Sequence, residues 1–311
     1  MEFPITDLLG LNDSTQWILQ YFHPQGLMCP NCGDSVANAH VFRRTKKSQL
    51  TVYRCRDCHT VYNLYTNTIF QQRHLTPQQV VLLLRGELKS EASITLVAEL
   101  KVSPQTVLDV RRDLQDSARF LQTNTLLTDE HTETDEMFHA KRAGEKSEKH
   151  RDPLAPPRRR ANKQRGRGTY ENDRPPIVGT IGRESGQVRL RVVPDTTGET
   201  LEAHVHQFTH AEAIVYTDES NSYNHIIRSQ ATVEHGIHEY ARDDDGDGIR
   251  EVHCNTAEGM WTDVRNFLRP FKGVHKKYLA GYVAICEFRR NLKRISPAFI
   301  SALVTFHAFC I

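Results

Sequence analysis

The sequence predicts a mixed α/β protein in which a small cysteine-rich module and a helical segment precede a larger α/β domain. Three observations predict it. Four cysteines fall in two C-x-x-C pairs near the start of the chain, Cys29/Cys32 and Cys55/Cys58. Apolar residues recur at helical spacing from Thr76 onward. Beyond residue 127 strand-type runs return, and carboxylates stand where a strand ends or a helix begins. With 311 residues the chain has length for about two cores. The boundaries read as 1–75 for the cysteine module, 76–126 for the helical segment and 127–311 for the α/β domain, with a basic insertion at 141–174.

The cysteine module comes first. In Cys29-Pro30-Asn31-Cys32-Gly33 two sulfurs straddle a tight turn, and Cys55-Arg56-Asp57-Cys58 repeats the arrangement after a 22-residue spacer. Two such knuckles supply four thiolates to one tetrahedral ion, with Zn–S distances of about 2.3 Å. Short strands are expected at Val41-Phe42, Leu50–Tyr53 and Val61–Tyr65. This pattern is a zinc ribbon; the competing readings are two disulfides or reduced core cysteines. Arg43, Arg44, Lys46, Lys47, Arg54 and Arg56 make its surface basic, which favours contact with DNA over a purely structural role.

From Thr76, a cap with Pro77 at the first helical position, Val80, Val81 and Leu84 mark a helix. Ser93–Leu100, a Lys101-Val102 connection and a helix capped by Ser103 then read as a helix-turn-helix. Its second helix is expected to present Gln105, Thr106, Asp109, Arg111 and Arg112. An ordinary helical hairpin with a solvated polar face is the alternative.

The net charge of +2 identifies no partner. Its distribution is more informative, because Lys141–Arg174 carries twelve Lys or Arg against five Asp or Glu. Pro153, Pro156 and Pro157 precede Arg158, Arg159, Arg160, Lys163, Arg165 and Arg167, with few apolar residues between. Such a segment cannot form a core, and it suits an extended arm that holds phosphates without reading bases.

Beyond the insertion, Ile177–Ile181 and Val188–Val193 read as strands joined by the turn Glu184–Gln187. Thr197–His206 reads as a helix and Ala213–Thr217 as another strand. With Asp135 near a first strand the order is strand, strand, strand, helix, strand, the order of the ribonuclease H-like fold. Its first acid lies on the first strand and its second just past the fourth, where Asp218 stands. The third acid can be tested by periodicity. At about 100° per residue, Arg265 falls about 20° from Glu258 and Asn255 about 60° away, while Met260, Val264, Phe267, Leu268 and Phe271 occupy the other side. One face is apolar, and the other carries Asn255, Glu258 and Arg265. Carboxylates gathered in this way suit hard divalent cations, Mg²⁺ or Mn²⁺, and in-line displacement at phosphorus.

Jointly, Cys-Pro-Asn-Cys with Tyr53-Arg54-Cys55, Thr66–Phe70, Thr134-Asp135-Glu136, Val192–Thr196, Tyr216-Thr217-Asp218, His253–Trp261 and Phe288–Asn291 cover most of the chain. On these residues the sequence resembles the ISXO2-like family of DDE-type transposases of prokaryotic insertion sequences, which carry an N-terminal zinc ribbon. The resemblance implies metal-dependent cleavage and strand transfer at transposon ends. It makes Asp135 and Asp218 the first two acids and puts the third at Glu258 or Asn255, with Glu258 favoured on charge. Arg265 stands where Lys is more usual. Zn²⁺ in the ribbon, Mg²⁺ or Mn²⁺ in the catalytic domain, terminal inverted repeats and target DNA as partners, and a homodimer or higher oligomer on DNA are all implied. A DNA-binding regulator without catalysis, or a structure-specific nuclease, are the alternatives.

Other features weigh less. Asp243-x-Asp245-x-Asp247-Gly248 begins like a calcium loop, but its twelfth position is Cys254, so it reads as an acidic surface loop. His235, His238 and His253 have no metal spacing, and His253 alone adjoins the Glu258 helix. The longest apolar stretch, Ala298–Ile311, has 14 residues and is short for a bilayer span. With no basic and apolar leader at the start, a cytoplasmic, nucleoid-associated protein is expected.

Overall fold

A computed structural model of the chain describes residues 10–139, 168–171, 174–233, 239, 241–244 and 246–305. The fold divides into two units, Met1–Leu121 with Leu292–Ile311, and Gln122–Asn291. Leu292–Ile311 thus group with the unit that holds the four cysteines.

The first unit opens with α1 (Leu11–Phe22), whose Trp17, Ile18, Tyr21 and Phe22 are buried. Trp17 stacks on Tyr21 with centroids 4.3 Å apart. Three short strands follow, β1 (Ala39–Arg44), β2 (Thr51–Cys55) and β3 (Val61–Tyr62), in one antiparallel sheet. The face of β1 is exposed, including Val41, Phe42, Arg43 and Arg44, and the Arg54 guanidinium lies 4.1 Å from the Phe42 ring centroid. Three helices come next, α2 (Pro77–Leu88), α3 (Ser93–Leu100) and α4 (Pro104–Leu121). As expected, Thr76 caps α2: its hydroxyl accepts from Gln79 N–H while the Gln79 side chain accepts from Thr76 N–H. Lys101 adopts φ 52°, ending α3 in the left-handed region, and Ser103 Oγ accepts from Thr106 N–H at 3.0 Å to start α4.

The second unit begins with β4 (His131–Phe138), β5 (Pro176–Gly182) and β6 (Val188–Val192), joined as an antiparallel series. Then come α5 (Gly198–Phe208), β7 (Ile214–Asp218) and β8 (Ser229–Val233), and both strands run parallel to β4. Among the described residues the sheet has five strands in the order β6-β5-β4-β7-β8. This mixed sheet is consistent with the ribonuclease H-like order expected from sequence. Side chains alternate across it. Val178 and Val215 pack with Leu201, Val205, Tyr223 and Ile226 on the α5 face. A small pair, β9 (Ala241–Arg242) and β10 (Val252–His253), leads into α6 (Asn255–Leu268), which lies against β4 and β5 on the opposite face. Next α7 (Lys276–Asn291) covers β6, where its buried Glu287 accepts from Leu190 N–H at 2.7 Å and pairs with Arg191 at 2.9 Å.

The chain then re-enters the first unit as α8 (Pro297–Val304), capped by Ser296. Ile300, Leu303 and Val304 are fully buried, Ser301 Oγ donates to Phe22 O at 2.9 Å, and Ile69 N–H donates to Val304 O at 2.8 Å. The described part of the apolar stretch that is too short for a bilayer, 298–305, therefore contributes to a core. No described helix is long and apolar enough to cross a membrane.

Candidate active site and metal centre

The four predicted zinc ligands converge in the first unit, with all four Sγ atoms within 4.8 Å of one another. Cys29 Sγ is 3.4 Å from Cys58 Sγ, and Cys32 Sγ is 3.6 Å from Cys55 Sγ. A tetrahedron of sulfurs about 2.3 Å from a zinc ion has edges of about 3.8 Å, so the set fits that ion and is too open for disulfides. Thr60, through its hydroxyl and backbone, holds the Cys58 thiol down at about 5, whereas Cys32, against a backbone hydrogen bond at Asp34, is pushed up to about 12 by the neighbouring thiols of Cys29 and Cys58.

The helix-turn-helix residues divide differently from expectation. Arg112 is partly exposed on α4, beside Asp109. Arg111 is not on that face: it is 2 % exposed, its Nε is 2.6 Å from Glu87 Oε2, and its Nη2 donates to Glu91 O at 2.8 Å. The reason is periodicity, since Arg111 continues the buried stripe of Val107, Val110 and Leu114. Its charge is met by Glu87, whose carboxyl burial lifts to about 7 against the pull of Arg111. Arg158, Arg159, Arg160, Lys163, Arg165 and Arg167 lie outside the described residues, as do His235, His238 and Asp245.

In the second unit Asp135 lies on β4 and Asp218 ends β7. The two strands run parallel with Glu133 opposite Tyr216, and continuing that register by two residues sets Asp135 beside Asp218 on the α6 face. Glu258 sits in the first turn of α6, on its exposed side with Asn255 and Arg265. Burial pushes the Asp135 carboxyl up to about 6; Glu136 N–H and the Trp261 indole oppose the rise, while the charges of Asp218 and Glu258 add to it. The three acids thus share one electrostatic neighbourhood, although their oxygens do not all close to within 4.8 Å. A divalent cation would relieve that mutual repulsion, and oxygen donors are the ligands Mg²⁺ and Mn²⁺ take. Asp218 Oδ1 accepts from Ser220 N–H at 3.0 Å, which steadies the strand end.

Two residues that sequence reading passed over connect these groups. Trp261, one turn past Glu258, donates its indole N–H to Asp135 Oδ2 at 2.7 Å, while Asp135 Oδ1 accepts from Glu136 N–H at 2.7 Å. Room for the indole comes from Gly179, paired with Asp135 across β5: a Cβ there would stand 2.9 Å from the Trp261 ring and 2.7 Å from Met260. Glu133, two residues before Asp135 and therefore on the same face, is fully buried. It accepts from Ala257 N–H in the first turn of α6 at 2.8 Å and from Arg183 Nε at 2.7 Å. Arg183 also donates to Glu251 O and His253 O and stacks 3.7 Å from the Tyr216 ring centroid. His253, 3.2 Å from Glu133, belongs to this cluster, where burial and then the Arg183 charge lower its pKa. The signal for Glu133 was its i−2 spacing from Asp135. For Trp261 it was the i+3 spacing from Glu258.

The first unit thus holds a four-cysteine cluster able to bind zinc, and the second holds acids on one face of a mixed sheet beside a helix. Residues 148–291 match the family described as ISXO2-like transposase domain, a range that holds Asp218 and Glu258 and begins beyond Asp135. A protein described as an uncharacterized protein in transposable element ISH50, from Halobacterium salinarum, is 27% identical over 294 residues, which is 94% of each chain. The chain is thus similar to insertion-sequence transposases, through the ISXO2-like domain over residues 148–291 and through the ISH50 protein over most of its length.

Proposed function

We propose that the protein is a DDE-type transposase that cleaves DNA at the ends of its insertion sequence and joins the freed 3′ ends to target DNA. The observation that carries the reading is that Asp135 and Asp218 each stand two residues beyond the Glu133–Tyr216 pair on adjacent parallel strands, close enough to Glu258 that both charges raise the Asp135 carboxyl. On this reading the second unit is a ribonuclease H-like catalytic domain, and Asp135, Asp218 and Glu258 hold Mg²⁺ or Mn²⁺, with Asn255 the rival for the third position. When bound, such cations activate the attacking oxygen and stabilise the leaving one.

The residues of the chain have separable tasks. Asp135 and Asp218 enter the reaction ionised, and Trp261 fixes one Asp135 oxygen. Water attacks phosphorus at the element end and gives up a proton; the P–O3′ bond breaks, and the leaving oxygen takes up a proton to become a 3′-hydroxyl. That hydroxyl then attacks a target phosphodiester and displaces its 3′-oxygen, so one P–O bond forms for each one broken. Arg265, on the exposed side of α6 with Glu258, supports the reading as a phosphate contact. The basic, exposed β1 face of the ribbon, Arg112 on α4 and the basic insertion are the DNA-holding surfaces. A protein dimer or higher oligomer on two paired ends follows from the same reading.

The test is strand transfer in vitro with Mn²⁺, using DNA carrying the terminal inverted repeats. Wild-type protein should produce joined products and Asp218→Ala should produce none while still binding ends. Equal binding by both proteins with no cleavage by either would identify a regulator, and cleavage without joining would identify a nuclease.

A further inference from the structure

The anchoring of α6 to β4 carries a further inference about how Asp135 is aimed. Trp261 is 2 % exposed, and its indole N–H ends on Asp135 Oδ2 at 2.7 Å. A buried indole needs an acceptor, and a backbone carbonyl would serve if the ring were only core. Here the acceptor is a buried carboxylate with two acids, Asp218 and Glu258, near it. The ring is not free to choose, because the bare Gly179 backbone receives it on one side. Nor is the helix that carries it free: Glu133 accepts from Ala257 N–H at 2.8 Å, four residues before Trp261, and Glu133 is itself held by Arg183 at 2.7 Å. Asp135 and the indole are therefore set against each other by two tie points on the same strand.

We infer that Trp261 is a positioning residue for divalent-cation binding: by occupying one lone pair of Asp135 Oδ2, it fixes the rotamer in which Asp135 presents its remaining lone pairs to a cation. Glu133 maintains that alignment through the first turn of α6 and is not a cation ligand, since its two oxygens are already engaged by Arg183 and Ala257. The inference rests on reading Asp135 as a cation ligand. Outer partners of metal ligands typically set affinity by about 10–100-fold, because an unheld carboxylate must be ordered when the ion binds.

The experiment measures Mn²⁺ binding to the full-length, zinc-loaded protein by the loss of the free-ion electron paramagnetic resonance signal. Trp261→Phe keeps the ring and removes the N–H; Glu133→Gln keeps the shape and removes the charge. Both should weaken Mn²⁺ binding by about 10–100-fold, with end-DNA affinity close to wild type for Trp261→Phe and its melting temperature lowered only by the void the smaller ring leaves, and Asp135→Asn should abolish binding at this site. Wild-type Mn²⁺ affinity in Trp261→Phe, with binding lost in Asp135→Asn, overturns the positioning role and leaves the cation reading intact. Undiminished binding in Asp135→Asn sinks both. Should Trp261→Phe fail to fold, the wild-type indole ¹⁵N–H resonance that survives Trp17→Phe decides: it should shift on adding Mg²⁺, and a resonance unmoved at saturation overturns the inference.

Discussion

Glu133 and Asp135 stand two residues apart on the same face of β4 and have opposite surroundings. Glu133 is saturated by donors, Arg183 on one oxygen and Ala257 N–H on the other. Asp135 is crowded by like charge from Asp218 and Glu258, and its carboxyl lies up at about 6. One acid is thereby committed to holding a helix, and the other is left with an unmet demand for positive charge. This difference organises what the site should do when perturbed.

The metal-free protein should gain stability above pH 6 when Asp135 is replaced by Asn. A carboxyl whose folded pKa is raised from 3.8 is one the fold prefers protonated. Below about pH 4 both states hold the proton and nothing is lost; as pH rises through 6 the folded state must carry the buried charge and stability declines. Asp135→Asn should therefore melt as wild type at pH 4 and be more stable at pH 7.5, by on the order of 2 kcal/mol. Saturating Mg²⁺ should reverse the order, because only the wild type then gains a ligand. Thermal melts at the two pH values, with and without Mg²⁺, check both statements.

Glu258 and Asn255 should separate in cleavage assays. Glu258→Gln retains size and hydrogen bonding but loses the charge that Asp135 senses, and cleavage at the element ends should fall by about 100-fold or more. Asn255→Ala should cost less than about tenfold. A larger loss in the Asn255 variant would reassign the third position to the amide.

Arg111 and Arg112 are neighbours with different duties. Removing one partner of a buried ion pair typically costs about 3–5 kcal/mol, so Arg111→Ala should lower the stability of the first unit by that order and alter DNA binding only through folding. Arg112→Ala should leave melting unchanged, weaken DNA binding across sequences and reduce the salt slope by about one counterion. Denaturation and salt-dependent binding curves measure the two effects separately.

Zinc should bind at one ion per chain, and stripping it with a strong chelator should unfold the ribbon. Cys55→Ser should reproduce that loss, because this buried thiol has no substitute among the four. Metal analysis together with circular dichroism checks stoichiometry and structure at once.

Much of this arrangement was legible in the sequence. Thr76 and Pro77 announced α2, an apolar β-branched run announced β5 and alternation announced β6, and the cysteine spacing announced the four-sulfur cluster. Arg111 was misread because charge was taken for exposure, whereas a long guanidinium on a buried stripe needs only one acid, Glu87, to stay inside. Helices α1, α7 and α8 were not anticipated. The last of these takes its place by packing against α1 and α4, partners remote in sequence that local periodicity does not reveal. Trp261 escaped notice because it falls about 60° from Glu258 on the helix, between the polar and apolar sectors, a position that joins the two.

Gly179 has a consequence for how this site can change over generations. Opposite Asp135, the missing side chain is the slot into which the Trp261 ring fits. Any larger residue at 179 would press on the Trp261 ring and on the ends of Met260 and Leu190, and any smaller residue at 261 would leave a void beside Asp135. A change at 179 therefore alters the fit at 261, and the reverse, although the two stand some eighty residues apart in the chain.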